Sequence, residues 1–172
     1  PAPCLGDEFC GRFRPGHFDG VCTVVARLLS IMPAQYALFG EKDYQQLLII
    51  QRLVAELKLA TQIVPVATVR DDDGVALSSR NQHLSPAQRK QARQIYLALL
   101  HAERNFALQA IEKIEQESIN LLENHNLTVD YFSIRDAADL HYPSPASTRI
   151  VIMTAVKIGT TRLIDNVLFQ IA

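Results

Sequence analysis

An alternation of helical and strand-like apolar segments over residues 21–69 constrains the fold of this chain most strongly. Apolar residues recur at helical spacing from Val21 to Met32, and a short apolar run then ends at Gly40. A second helical pattern covers 47–57, and a second strand-like run covers 62–69. This order is typical of parallel α/β sheets. Pro65 cannot donate to a neighbouring strand, which argues against a central position for the second strand.

A different order of elements follows Asn81. Ser85-Pro86-Ala87-Gln88 is a capping box with proline at the first helical position, and it predicts a helix from there to about 106. A further helix and three strands are predicted over 108–124, 129–135, 149–158 and 161–169. Gly159-Thr160 is a hairpin-like turn between the last two strands. Helices followed by strands predict a separate, small α+β unit, with the boundary near 74–82.

Composition excludes several classes of protein. The 172 residues are 48% apolar and 20% charged, which is ordinary for a soluble globular protein. A net charge of -1 with scattered basic residues argues against nucleic-acid binding. No apolar run has the length of a membrane span, and no signal-peptide pattern is present. Cys4, Cys10 and Cys22 show neither paired nor zinc-binding spacing, so we expect a reducing cytoplasm and no protein-bound metal.

The stretch Leu77-Ser78-Ser79-Arg80-Asn81 is rich in groups that bind phosphate. It places two hydroxyls, a guanidinium and an amide directly after an acidic turn at 71–74. A polyphosphate needs such a supply of hydrogen-bond donors together with a fixed positive charge. The alternative is a solvated loop that ends in a helix cap.

A second polar loop, Gly40-Glu41-Lys42-Asp43, follows the first predicted strand. Glycine allows a ligand to approach the backbone closely, and Lys42 offers a mobile charge to a phosphate. Asp43 suits ribose hydroxyls or a position near a bound metal ion; the alternative is a charged turn with Asp43 as the N-cap of the next helix. Gln45 and Gln46 offer polar groups to a substrate, although an exposed helix surface is the preferred interpretation for Gln45.

The chain contains neither a P-loop nor a Gly-x-Gly-x-x-Gly motif. Arg14-Pro15-Gly16-His17-Phe18 is a compact loop with two groups suited to anionic oxygen. Whether His17 is structural or functional stays open, because a lone histidine is more often structural.

Three motifs in this order resemble the pantothenate synthetase (pantoate–β-alanine ligase) family, and the resemblance covers essentially the whole chain. The motifs lie at 14–21, 39–46 and 77–81, and the tail at 161–166 is similar to the terminal hairpin of the family. The resemblance implies a Rossmann-like nucleotidyltransferase domain with a parallel sheet, followed by a small α+β lid domain. On this basis residues 1–76 are expected to be the C-terminal part of the first domain, and residues 77–172 the lid.

The resemblance also implies a reaction in two steps and a set of site residues. Pantoate and ATP, with Mg²⁺, would form pantoyl adenylate and pyrophosphate, and β-alanine would then give pantothenate and AMP. Lys42 and Arg80 would be catalytic, and Gln46 would hold pantoate. A cytoplasmic homodimer is implied as well. The residues implied in ATP binding are Gly40, Glu41, Lys42, Asp43, Val69, Leu77, Ser78, Ser79 and Arg80.

One motif of the family, of the His-x-Gly-His type, does not occur in these 172 residues. We therefore expect the sequence to correspond to a C-terminal portion of the family architecture. Three hypotheses stay open: an ATP-dependent ligase, a catalytically inactive fragment that retains folding, association or weak nucleotide binding, and a different nucleotidyltransferase that shares the adenylation loops. The loop at 14–18 together with Gln46 favours the ligase over the third hypothesis.

Overall fold

The computed structural model describes residues 5–171, which form two compact units that divide after Thr68. In the first unit, helix α3 (Tyr44–Glu56) contacts both strands of a two-stranded parallel sheet, and helix α2 (His17–Ile31) packs against α3. A short 3-10 turn, Glu41–Asp43, joins the first strand to α3. The bounds are α1 Cys10–Phe13, α2 His17–Ile31, β1 Tyr36–Gly40, α3 Tyr44–Glu56 and β2 Gln62–Val66.

Helix α3 is held by an apolar face of regular helical spacing. Leu47, Ile50 and Val54 follow one another at intervals of three and four residues, so they lie on one side of the helix. All three are buried, and Ile50 has no exposed surface. These buried residues hold the helix predicted over 47–57 in the first unit. Its first turn follows the 3-10 turn that comes after β1.

The parallel sheet explains the position of Pro65. The strands run in register from Tyr36 opposite Gln62, and the Gln62 amide donates to the Gln35 carbonyl at 2.9 Å. Because backbone groups alternate in direction along a strand, the backbone nitrogen of Pro65 points away from β1. Within residues 5–171, β1 is the one strand paired with β2, so no ladder hydrogen bond is lost at the proline.

The second unit packs two helices on one antiparallel sheet. Its three strands are β3 (Thr128–Asp136), β4 (Arg149–Ile158) and β5 (Thr161–Gln170), in that order across the sheet. Side chains such as Ile114, Leu122 and Ile152 are fully buried in its core. The capping box is confirmed: Ser85 Oγ accepts from the Gln88 amide at 3.3 Å, and Gln88 Oε1 accepts from the Ser85 amide at 2.9 Å. The bounds are α4 Pro86–Asn105, α5 Ile111–Asn124, β3 Thr128–Asp136, β4 Arg149–Ile158 and β5 Thr161–Gln170.

The predicted α/β fold class, with a parallel sheet followed by a small antiparallel α+β unit, is confirmed. Helix α5 begins at Ile111, later than the predicted 108, because Leu108 lies in a turn and is 77% exposed. The division after Thr68 precedes the boundary expected near 74–82, since Arg70 is tied to Asp165 on β5. The assignment of separate roles to 1–76 and 77–172 stays a prediction.

Candidate functional site

Gly40 is the last residue of β1 and faces open space. Its φ of -69° and ψ of 132° are angles that any residue adopts. A Cβ added at this position would meet no heavy atom of the described residues within 4 Å. The glycine is therefore required neither by the backbone conformation nor by packing. Among residues 5–171, none fills the space beside its α-carbon.

Lys42 and Asp43 belong to the 3-10 turn between Gly40 and the start of α3. Lys42 Nζ is 3.9 Å from Asp43 Oδ2, and the two side chains are 19% and 50% exposed. Asp43 occupies the N-cap position of α3, but its side chain makes no capping hydrogen bond within the described residues. The capping alternative therefore does not account for this carboxylate. The partly exposed cation Lys42 and the positive end of α3 favour an anion here.

Gln45 is a structural residue, and its preferred interpretation as exposed helix surface is wrong. Its side chain is 4% exposed. The amide oxygen accepts from the Cys10 backbone at 3.0 Å, and the amide nitrogen donates to the carbonyls of Leu5 and Glu8, to the latter at 2.8 Å. These hydrogen bonds join the segment at 5–10 to α3. Buried backbone groups need hydrogen-bond partners, and the glutamine amide supplies both a donor and an acceptor.

Gln46 is one position further along α3 and is only partly buried. Successive residues of a helix point about 100° apart, so Gln46 does not share the structural role of Gln45. Glu41, in the 3-10 turn, is likewise partly buried. The structure thus gathers Gly40, Glu41, Lys42, Asp43 and Gln46 within seven consecutive positions around the end of β1.

His17 is the first residue of α2 and pairs with the guanidinium of Arg14. The distance between Arg14 Nη1 and His17 Nε2 is 2.8 Å. A guanidinium only donates, so Nε2 is the acceptor in this contact. Gly16 precedes it with a φ of +74°, a left-handed angle that favours glycine. The contact between Arg14 and His17 lies within the loop that leads into α2, which favours the structural interpretation of His17.

In the second unit, Val69 and Leu77 form an exposed apolar pair. The chain turns back on itself between them, with Arg70 opposite Ala76 in an antiparallel bridge. The Leu77 amide donates to the Val69 carbonyl at 2.9 Å. Val69 is 61% exposed and Leu77 is 48% exposed. Residues directly opposite in such a pair point to the same face, so the two side chains form one small apolar surface.

The predicted phosphate loop continues from this pair as a 3-10 helix, Ser79–His83. Ser78 caps it by accepting from the Arg80 amide at 3.2 Å, as the helix-cap alternative expected. Asn81 is also used internally, since its side chain donates to the Ala76 carbonyl at 3.0 Å. Ser79 and Arg80 are exposed, and the Arg80 guanidinium makes one long contact of 3.4 Å to the Arg162 carbonyl. The donors at 79 and 80 are therefore the ones turned to solvent.

The acidic turn at 71–74 is bound by Arg89 of α4. Arg89 Nε donates to Asp73 Oδ2 at 3.0 Å, and its Nη2 donates to Asp73 Oδ1 at 2.9 Å and to Asp71. The hydrogen bond from Arg89 lowers the pKa of Asp73 below its usual value, and the two carboxylates raise the pKa of Arg89. Two of the three carboxylates of the turn, those of Asp71 and Asp73, are thus paired with a cation of the second unit.

Sequence reasoning missed the ion pair between Arg70 and Asp165. The two residues are 95 positions apart, and Arg70 makes bidentate contacts of 2.6 and 2.9 Å to the carboxylate. In the sequence, Asp165 stands out only as part of the tail motif at 161–166. Asp165 is buried within β5, and a buried acidic residue in a strand is a signal for such a partner.

Three other expectations from the sequence concern the cysteines, metal binding and membrane spans. Cys22 carries a free thiol, whereas Cys4 lies outside the described residues. In the part of the chain that the structure describes, no group of three His, Cys, Asp or Glu side chains is arranged to hold a metal ion. Among those same residues, no helix is long and apolar enough to cross a membrane.

Comparison with known proteins gives a consistent result. The family model described as pantoate-beta-alanine ligase matches residues 2–168. The pantothenate synthetase of Methylococcus capsulatus is 46% identical, over 98% of this chain and 60% of the relative. The chain therefore spans about 60% of the length of the curated relatives it matches.

Solved structures show the same likeness. Pantothenate synthetase from Thermus thermophilus has a TM-score of 0.89 and 39% identity, over 95% of this chain and 60% of that one. Pantoate-beta-alanine ligase from Francisella tularensis, complexed with beta-gamma ATP and beta-alanine, has a TM-score of 0.75 and 32% identity. That likeness covers 98% of this chain and 56% of the Francisella chain.

Proposed function

Because the chain belongs to the pantoate–β-alanine ligase family, we propose that it serves the ATP-dependent condensation of pantoate with β-alanine. The observation that carries the proposal is the end of β1. There, Gly40 faces open space, and Lys42 lies at the positive end of α3. A relative of similar fold that is complexed with beta-gamma ATP and beta-alanine supports ATP as a substrate.

The proposed reaction has two steps. The carboxylate of pantoate attacks the α-phosphorus of ATP, which forms pantoyl adenylate and releases pyrophosphate. The amine of β-alanine then attacks the acyl carbon, and AMP leaves with its bond to the acyl group broken. Negative charge develops on the phosphate oxygens in the first step, so fixed cations and backbone donors stabilise that transition state. The second step gains chiefly from positioning of the amine.

Lys42 and Arg80 are the proposed catalytic cations. Lys42 is held at 19% exposure near Asp43, so its charge is partly shielded from water and acts strongly on a bound phosphate. Arg80 is exposed and offers a planar fork that can bridge two phosphate oxygens. Ser79 adds a hydroxyl donor beside Arg80, and Ser78 fixes the loop through its cap. Asp43 suits the ribose hydroxyls, because its carboxylate is half exposed.

The remaining assignments follow from polarity. The exposed apolar pair of Val69 and Leu77 suits the flat face of an adenine ring. Gln46, whose amide is separate from the structural network of Gln45, is proposed to bind pantoate. Mg²⁺ enters with ATP as part of the substrate, held by phosphate oxygens and water. A cytoplasmic location and a homodimer are further proposals, which rest on the family alone.

A second candidate is that the 172-residue chain by itself is catalytically inactive and retains only folding, association or weak nucleotide binding. The observation that favours it is the lack of a His-x-Gly-His-type motif in the sequence. The chain also spans 60% of the length of its relatives. A nucleotide oriented by fewer groups reacts slowly, because misplacement by about 1 Å can cost on the order of a hundredfold in rate.

An assay of AMP release and a measurement of nucleotide binding together separate the two candidates. The purified chain is supplied with ATP, Mg²⁺, pantoate and β-alanine, and release of AMP is followed with the Methylococcus capsulatus relative as a positive control. AMP release that requires both pantoate and β-alanine supports the ligase activity of this chain. Nucleotide binding without AMP release supports the second candidate. The absence of both contradicts the proposed nucleotide chemistry.

A further inference from the structure

We propose that Arg70 and Asp165 are positioning residues for the nucleotide: their buried ion pair holds Val69 and Leu77 side by side on the outer face of the turn. The inference rests on the proposed function, since it takes the exposed pair as the surface for adenine. Neither residue is expected to touch the nucleotide. Both act through the backbone of the turn at 70–76.

The side chain of Arg70 lies on the inner side of the turn and makes hydrogen bonds to both the turn and β5. Its guanidinium binds the Asp165 carboxylate with two bonds of 2.6 and 2.9 Å and donates to the Asn166 carbonyl at 2.9 Å. It also donates to the Gly74 carbonyl at 3.1 Å, at the tip of the turn. The side chains of Arg70 and Asp165 are 16% and 4% exposed. Arg70 therefore joins the start of the turn and its tip to β5.

A second contact fixes the plane of the guanidinium. Its central carbon lies 3.9 Å from the centroid of the Tyr96 ring, a cation–π arrangement. Tyr96 also packs directly under the tip of the turn, since a Cβ added at Gly74 would lie 2.7 Å from its Cδ1. Gly74 has a φ of +87°, which favours glycine for a second reason. The turn has little room to move while the ion pair is intact.

The link from Arg70 to the exposed pair is the alternation of side chains. Arg70 and Ala76 face each other in the bridge and point inward, and Ala76 is only 6% exposed. Their outer neighbours Val69 and Leu77 must then point outward, because successive side chains of an extended backbone alternate. Fixing Arg70 on the inside therefore fixes the direction of both outer residues.

The alternative is that the pair only stabilises the second unit. The chain offers a matched control for this, because Arg135 and Glu115 form another partly buried ion pair at 2.9 Å, with exposures of 22% and 20%. That pair joins α5 to β3. If the role of Arg70 is only structural, the loss of either pair should act on the nucleotide in the same way.

The test compares Asp165→Asn with Glu115→Gln in the 172-residue chain. Amide hydrogen exchange at Leu77 reports the turn, because that amide donates to the Val69 carbonyl. Titration calorimetry with Mg–ATP reports the nucleotide. We expect Asp165→Asn to accelerate exchange at Leu77 and to weaken Mg–ATP binding, each by about tenfold, the size of one lost charge-assisted hydrogen bond. Glu115→Gln should change neither quantity.

Arg70→Lys is the second variant, and it keeps the charge but loses the bidentate geometry. It should behave as Asp165→Asn does, and it replaces that variant if the latter does not fold. Parent-like exchange at Leu77 in either variant, or equal losses of affinity in Glu115→Gln, would overturn the inference. If the parent chain binds no Mg–ATP, the proposed function is contradicted, and exchange at Leu77 alone then decides whether the pair positions the turn.

Discussion

Replacing Gly40 with alanine separates a ligand-binding role of the strand end from a structural one. The backbone angles at Gly40 suit any residue, and the new methyl group would meet no atom of the described residues within 4 Å. Alanine also restricts the unfolded chain. We therefore expect the free energy of unfolding to stay within about 0.5 kcal/mol of the parent or to rise by up to about 1 kcal/mol.

The effect on nucleotide binding should be much larger. If a phosphate group or ribose lies against the backbone at Gly40, the methyl group occupies space that the ligand needs. Overpacking of this kind costs about 1–3 kcal/mol, which corresponds to a Kd for Mg–ATP roughly 5 to 150 times higher. The contrast between an unchanged stability and a large loss of affinity is the signature of a ligand that approaches glycine closely.

The assay is titration calorimetry with Mg–ATP, combined with urea unfolding of the same preparations. Gly20→Ala is the matched control, because a Cβ at Gly20 also meets nothing within 4 Å in the described chain. Gly20 lies inside α2, where alanine should stabilise by about 0.5–1 kcal/mol. Its affinity for Mg–ATP should equal that of the parent. A Gly40→Ala chain that binds Mg–ATP as tightly as the control would refute the close approach of the nucleotide to β1.

Three further predictions concern single side chains within one unit or the other. Lys42→Ala should weaken Mg–ATP binding by about tenfold or more, as for the loss of a charge-assisted contact, while Lys113→Ala, at an exposed cation of α5, should leave calorimetric affinity unchanged. Arg80→Lys should also weaken binding, because an ammonium cannot bridge two oxygens; an unchanged Kd would mean that Arg80 only enters the 3-10 helix. Asp73→Asn should destabilise the chain at pH 7. Since Arg89 lowers the folded pKa of Asp73, this difference in urea unfolding should shrink as the pH falls below about 4, and a constant difference would contradict the role of the pair.

The parts of the fold that depend on local patterns could be predicted from the sequence. Helix α3 has its apolar residues at helical spacing, and α4 begins at a capping box, so each is specified by a few neighbouring residues. The position of Pro65 followed from its missing donor. The start of α5 was misplaced, because Leu108 is apolar but lies in a turn and is 77% exposed.

The properties of the site that depend on distant residues could not be predicted. Gln45 is buried because the backbone of a loop some 35 to 40 positions away needs its amide, and no periodicity shows this. The side chain of Lys42 is 19% exposed, which is less than the sequence of a polar loop indicates for a lysine. The contact of Arg70 with Asp165 spans 95 positions, and no local pattern indicates it. The pairing of Val69 with Leu77 on one face rests on the backbone bridge between Arg70 and Ala76, which the structure shows.

Calorimetric binding of Mg–ATP to the 172-residue chain and to its Lys42→Ala and Arg80→Lys variants tests the proposed nucleotide site most directly. We expect saturable binding to the parent chain and weaker binding to each variant, and urea unfolding should show that all three are folded. A folded parent that binds no Mg–ATP, or binding that neither variant weakens, would contradict the assignment of the end of β1 and the loop at 77–80 to the nucleotide.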